Sequence, residues 1–302
     1  MPVALISVPY SSTGLTTGEA RGPDALRAAG LLDTLRRAGN VVDLGDVKFE
    51  RPTPQRDERS GIIAPAALTG MVLAVRKVVA RVIAGGYFPV VVGGECPLLL
   101  GCLAASRDTF GRVGLLFIDG HEDAWPPHAS TTGETADMEL GLALGHSRLT
   151  GVPELDAILP VVRPEDTVLL GPRDKPEIQD AGLPSLSGTT TLLSDADLRQ
   201  GDGEAIGRST AEQLHTSAGK WWLHLDFDVL SSEALGAVRY PQPGGVSWRQ
   251  LEQLTSSALR VPGVVGWNLT IYNPDLDPMG AGAARIVKFI RTCAPTIARH
   301  QK

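Results

Sequence analysis

Along the chain, short uninterrupted apolar runs alternate with longer stretches in which apolar residues recur every three or four positions. The runs are VALISV from residue 3, VVDLGDV from 41, FPVVV from 88, VGLLFI from 113, TVLLG from 167, WWLHLDF from 221 and VVGWNLTI from 264. Between them, helical spacing is read in PDALRAAGLLDTLRRAG, from Ala66 to Ala84, after Pro97, near 203–218, from Trp248 to Leu259 and within Ala281 to Ala298. Gly85-Gly86 supplies the expected stop for the second helix. Continuous Val, Leu and Ile mark strands covered on both faces, and intervening helices supply parallel crossovers. The pattern predicts a doubly wound α/β fold, a mainly parallel sheet flanked by helices in three layers. No linker, internal repeat or low-complexity segment interrupts it, so residues 1–302 are read as one domain.

In such folds ligands bind beyond the carboxyl ends of the strands. VVVGGEC, LLFIDGHED and LHLDFDV each break at that end into Gly, acid, His or Cys. Were strand conformation to continue, Asp119, His121 and Asp123 would share one side, as would Asp226 and Asp228. An acid at a strand end is commonly a cap or a solvated loop residue. Four carboxylates gathered together, however, repel one another unless a cation sits among them. A divalent metal site, with one or two ions, is therefore expected at Asp119, His121, Asp123, Asp226 and Asp228.

Composition narrows the partner. Apolar residues make up 43% and charged residues 21% of 302 residues, with a formal charge of −6. That balance suits an ordinary globular protein and carries no basic footprint for nucleic acid or an anionic membrane surface. A small-molecule or peptide substrate is expected. Three widely spaced cysteines, Cys96, Cys102 and Cys293, suit a reducing compartment. MPVALISVPYSS lacks the charged start and cleavage site of a secretory signal, so a cytoplasmic location is expected.

These motifs resemble the ureohydrolases, the arginase, agmatinase and formiminoglutamase family. GEARGPDALRAAGLLDTL is similar to the family's opening, VVVGGECPLLLG to its first metal motif, FIDGHEDAWPPHASTTG to its second and LHLDFDVL to its third; PQPGGVSWRQL and GWNLTIYNPDLD follow in the same order. The resemblance implies an arginase-like α/β/α fold. It implies Asp119 and Asp226 as bridges between two metals, Asp123 completing one site, and His121 with Asp228 the other. In the family the metals are usually manganese, and a hydroxide held between them attacks a guanidinium carbon. Homo-oligomers are common in the family, and the resemblance allows one here.

The chain also departs from that pattern. Cys96 stands where the first motif carries a metal-binding His, and Glu95 where it carries Asp; a thiolate ligand would shift preference toward zinc, iron or cobalt. A cysteine at this position also occurs in a related hydrolase of a hydroxyguanidino substrate. Ile271, beside Tyr272, replaces the Glu that pairs with the guanidinium, a loss of roughly 3–5 kcal/mol by analogy with broken buried ion pairs. Ala136 takes the place of the family's catalytic His, leaving His128 and Glu134 as candidates for proton transfer. Arg173-Asp174 resembles a substrate-positioning pair, with Pro176 in place of a further acid, and Trp125 and Thr132 are expected to line the pocket. Asn268, where the family has Asp, is read as structural. The expectation is a metal-dependent hydrolase of a C–N bond in a non-standard guanidino, hydroxyguanidino or amide-like substrate. Two alternatives remain: a catalytically silent member with a structural or single metal, and an arginase or agmatinase proper.

Overall fold

A computed structural model describes residues 1–299. Its strands are β1 (Val3–Val8), β2 (Val41–Asp46), β3 (Phe88–Gly93), β4 (Gly114–Ile118), β5 (Thr167–Leu170), β6 (Thr191–Leu193), β7 (Trp221–Asp226) and β8 (Val264–Thr270). Among the described residues they form a single eight-stranded sheet in the order β2-β1-β3-β8-β7-β4-β5-β6, and every pairing is parallel. The expected α/β class, a parallel sheet flanked by helices, is thus the observed one.

Each strand feeds two apolar layers in alternation, because successive side chains leave opposite faces. Leu5, Val90, Val92, Leu116, Ile118, Leu223 and Leu225 enter one core. Ala4, Ile6, Val91, Leu115, Phe117 and Trp222 enter the other. Helices Pro65–Ala84 and Leu98–Phe110 contribute buried Leu68, Met71, Val72, Val75 and Leu99, Leu100, Leu103 to the second core. Trp248–Ala258 and Ala281–Arg299 cover the first.

Three local expectations change. The segment after Gly22 is two helices, Gly22–Ala28 and Leu31–Ala38, because Gly30 lies at φ 93, which a continuous helix does not accept. β2 forms as predicted but at the sheet edge, where Val42 and Leu44 stay exposed, so its continuous apolar run does not report burial on both faces. β6 is an additional edge strand of three residues, too short to give a periodic signal. No helix among the described residues is long and apolar enough to cross a membrane.

Since all strands run the same way, their carboxyl ends lie along one edge of the sheet. β3, β8, β7 and β4 are consecutive neighbours at its centre, and it is their ends that carry Glu95 and Cys96, Thr270 and Ile271, Asp226, and Asp119. Residues far apart in the chain are thereby brought into one crevice.

Candidate metal centre

Asp119 directly follows β4, fully buried, with its N–H donating to the Leu170 carbonyl at 3.0 Å. Its Oδ1 accepts the His121 N–H at 2.8 Å, which turns the chain back under the carboxylate; its Oδ2 meets no donor among the described residues. The strand ends at Ile118, and Asp123 has φ 43. Asp119, His121 and Asp123 therefore converge by coiling around a loop and not by strand parity, a correction to the geometric expectation. Asp tolerates the left-handed region better than most residues. The Asp123 carbonyl accepts the Gly141 N–H at 3.0 Å, tying the loop to the helix Glu139–Leu144.

Asp226 closes β7, and Asp228 lies in the 3-10 turn that follows, again off the strand. Asp226 Oδ1 accepts the Asp228 N–H at 2.6 Å and its Oδ2 accepts from the Cys96 thiol at 2.9 Å. Asp228 Oδ1 accepts the Gly120 N–H at 2.9 Å, and its Oδ2 lies 2.8 Å from His121 Nδ1. The two motifs are thus locked to each other through backbone amides. Arg173 reinforces the lock by donating from Nη2 to the Asp228 carbonyl at 2.6 Å. It packs directly over Gly120, where a Cβ would lie 2.5 Å from its Nη1.

The electrostatics show what the arrangement lacks. Burial, then the neighbouring Asp119 carboxylate, pushes Asp123 well above the usual carboxylate range. Burial, then Asp228 and Asp119, does the same to Asp226. Asp228 goes the other way: burial opposes ionisation, but the adjacent His121 and Arg173 hold it down to about 2. His121 is raised well above its ordinary value by Asp228 and Asp119, against its burial. Burial and the surrounding carboxylates also push the Cys96 thiol up. Such a cluster holds surplus negative charge that the protein alone leaves uncompensated.

A cavity of about 250 Å³ opens above this floor. His121, Asp123, Asp226 and Asp228 form its base, and Trp125, Thr132, Glu134, Ala136, Asp174 and Ile271 are among its walls. Ile271 has φ 73, an outlier for a β-branched residue, pinned by its N–H donating to the Gly94 carbonyl at 2.7 Å. That kink breaks the side-chain alternation, so Tyr272 turns inward. Only 2% exposed, Tyr272 donates its hydroxyl to Asp277 at 2.8 Å and is absent from the cavity wall, contrary to the sequence expectation. His128 is exposed on the loop and does not reach the cavity either. Glu134 does, accepting from Tyr240 at 3.1 Å with Arg239 at 3.6 Å.

The chain matches the family model described as "Arginase family" over residues 1–294. The chain belongs to the arginase family. The Bacillus caldovelox arginase is 28% identical over 282 residues, covering 91% of this chain and 92% of that protein. Its native structure superposes with a TM-score of 0.84 at 24% identity over 97% of this chain and 98% of the other. A proclavaminate amidino hydrolase from Streptomyces clavuligerus superposes at 0.69 and 18% identity, covering 99% and 93%. These superpositions establish the shared fold, and family membership makes the chain a hydrolase acting on C–N bonds.

Family members depend on a pair of metal ions, and the residues of this arginase-family chain fit such a pair. Asp119 belongs to each of three groups whose ligand atoms lie within 4.8 Å of one another: with His121 and Asp123, with Asp226 and Asp228, and with Cys96, Glu139 and His224. A carboxylate shared by all groups is what two adjacent cations require of a bridge. Its Oδ2 accepts no hydrogen bond among the described residues.

Glu139 and His224 were not singled out by the sequence reading. His224 carried a signal, being two residues before Asp226 on one strand and hence on the same face. Glu139 carried little, as a lone acid opening the apolar helix ELGLAL. The wall acids Glu19, Glu95 and Glu177 were likewise not assigned to the pocket.

Proposed function

We propose that this chain is a metal-dependent hydrolase of a cationic guanidino, hydroxyguanidino or amidine-type compound, with manganese, zinc, iron or cobalt as its metal. The observation that carries the reading is the charge of the cavity. Glu19, Glu95, Glu134 and Glu177 surround it, while Arg239 and His121 are the basic residues on its wall. A planar cation entering there meets carboxylates although position 271 offers none. The missing acid of the final strand is thus compensated from other elements, and Ile271 supplies an apolar wall that favours a shorter or differently substituted molecule than arginine.

When bound, a metal pair would acidify a water and stabilise the charge that develops on the attacked carbon's substituents. The residues do the rest. Asp119 and Asp226 would hold the pair together, Asp123 and Cys96 one side of it, and His121 with Asp228 the other. Trp125 and Ile271 narrow the cavity and exclude bulk water. Glu134 Oε1 and Oε2 face Arg239 and Tyr240 at the wall, and burial raises this carboxyl although both neighbours oppose it. Its raised affinity for a proton and its position on the cavity wall support Glu134 as the proton holder for the departing amine, where Ala136 offers no such group.

Metal-loaded protein incubated with a panel of guanidino, hydroxyguanidino and amide compounds is expected to release urea or amine from at least one of them. Turnover no greater than that of an Asp226→Ala, Asp228→Ala double variant across the whole panel would overturn the reading. In that outcome, with metal nonetheless bound, the ions serve the fold alone.

A further inference from the structure

Behind the carboxylate floor, Glu139 and His224, which the family's metal motifs do not include, join Cys96 and Asp119 in a buried cluster. Glu139 is fully buried; no N–H or hydroxyl among the described residues donates to its carboxylate oxygens, and the side chain it meets is another acid, Asp123. One ligand atom each from Glu139, Cys96, Asp119 and His224 lies within 4.8 Å of the others, and all four residues are buried. Ionising a carboxyl buried against other acids is costly unless a cation offsets the charge. Its presence in the core of a helix that is otherwise ELGLAL calls for a partner of positive charge.

His224 at first sight completes a four-ligand set, but its neighbours decide otherwise. Trp222 Nε1–H can only donate, and it donates to Asn268 Oδ1 at 2.7 Å. The amide orientation is thereby fixed, so Asn268 Nδ2 faces His224 Nδ1, 2.7 Å away, and donates to it. Nδ1 is an acceptor, and the ring proton sits on Nε2. Stacking on Phe117, with centroids 4.4 Å apart and planes 17° off parallel, holds the ring in place. The Nε2–H then points toward Asp119 Oδ2, 3.6 Å distant, and meets no hydrogen-bond acceptor among the described residues. A histidine that ligates through one nitrogen normally donates from the other. His224 is arranged in the opposite sense.

From this geometry we infer that Cys96, Asp119 and Glu139 ligate the inner metal ion as a sulfur-and-oxygen set, with His224 held by Trp222 and Asn268 as a hydrogen-bond donor to its carboxylates. The inference deepens the proposed metal centre and rests on it. Cys96 Sγ already contacts Asp226 Oδ2 and Thr270 Oγ1 at 2.9 and 3.0 Å, so thiolate formation on metal binding leaves it a neighbouring hydroxyl as donor. A site containing thiolate selects zinc, iron(II) or cobalt(II) over manganese. His224 is a positioning residue, and Asn268 sets its proton.

The full chain loaded with cobalt(II) should show a thiolate-to-cobalt charge-transfer band, and X-ray absorption should show a sulfur neighbour at roughly 2.3 Å. Cys96→Ser should abolish both signals. Glu139→Gln, nearly isosteric, should lose one of two bound ions by elemental analysis while circular dichroism stays unchanged. His224→Phe should weaken that ion's affinity roughly 10–100-fold without altering the sulfur signal. Asn268→Asp should move the imidazole proton to Nδ1, read from histidine nitrogen shifts, and bring a nitrogen neighbour onto the cobalt. Two ions bound with no sulfur neighbour, or with Glu139→Gln retaining both, would overturn this inference and leave the general metal centre standing. A wild-type chain that binds no ion would overturn both.

Discussion

At the scale of single residues, the site is a set of side chains held in place mostly by backbone amides. Asp119, Asp226 and Asp228 each spend one oxygen on an N–H of the opposing or following turn; the other faces the Cys96 thiol in Asp226 and His121 in Asp228, and in Asp119 accepts no hydrogen bond among the described residues. Their identity was legible in the sequence because Asp and His clustered where strands end. Their geometry was not, because Asp123 at φ 43 and the 3-10 turn at Phe227–Val229 leave the strand path that parity assumes. Ile271 stores strain of the order of 1–3 kcal/mol at φ 73. Ile271 is only partly buried, so Ile271→Gly should change the unfolding free energy by less than about 1 kcal/mol in urea titrations, against the ~2–5 kcal/mol that truncating a fully buried isoleucine costs. A loss in the latter range would show that Ile271 is not strained. Glu134→Gln should lower kcat about 10²–10⁴-fold with metal content unchanged, as expected for a lost acid or base. An unaltered kcat would remove Glu134 from the proton path.

Elements position those residues through close backbone approaches that only glycine permits. At Gly94, between β3 and Cys96, a Cβ would lie 2.1 Å from the Tyr10 carbonyl, so β3 and the segment after β1 meet directly. Tyr10 and its neighbours Ser11 and Ser12 then reach Glu95: Ser12 donates from N at 2.5 Å and from Oγ, and Ser11 donates from Oγ at 2.9 Å. Burial still pushes Glu95 up to about 7. On β8, a Cβ on Gly266 would fall 2.0 Å from the Trp222 ring, and that ring holds Asn268 and so His224. Gly266→Ala should cost about 1–3 kcal/mol through overpacking, measured as a lower urea midpoint with an unchanged slope. A stability equal to wild type would mean that the Trp222 ring moves freely and does not orient Asn268. Most elements were legible from apolar periodicity, β7 and β8 best of all. The helix break at Gly30 and the three-residue β6 were not, since one turns on a single backbone angle and the other is shorter than any repeat. Glu139 escaped notice for a related reason: a lone acid in an apolar helix has no pattern, and only the folded neighbourhood shows that it lies against Asp119 and Cys96.

For the whole molecule, the parallel sheet aligns its central strand ends, and the consequence is a concentration of acid that a cation must balance. The sign of the resulting pH dependence follows. Asp123 and Asp226 titrate above their unfolded values, so the metal-free fold binds protons more tightly than the unfolded chain. That stabilisation is full below the unfolded carboxylate range, about pH 4, and is lost as pH rises through the elevated folded values. Asp228, at about 2, contributes the opposite way, its stabilisation being lost only as pH falls toward that value. Metal binding requires the carboxylates deprotonated, so its contribution grows with pH. Melting temperature in chelator should thus fall between about pH 5 and pH 8 while that of the metal-loaded chain holds or rises; parallel curves would contradict the assignment. The most direct test of the central claim is the number of ions retained per chain after equilibrium dialysis against manganese or zinc and gel filtration, read by elemental analysis. Two ions in the wild-type chain and none in an Asp119→Ala, Asp226→Ala variant are predicted; a wild-type chain that retains no ion, or a variant that retains as many, would contradict it.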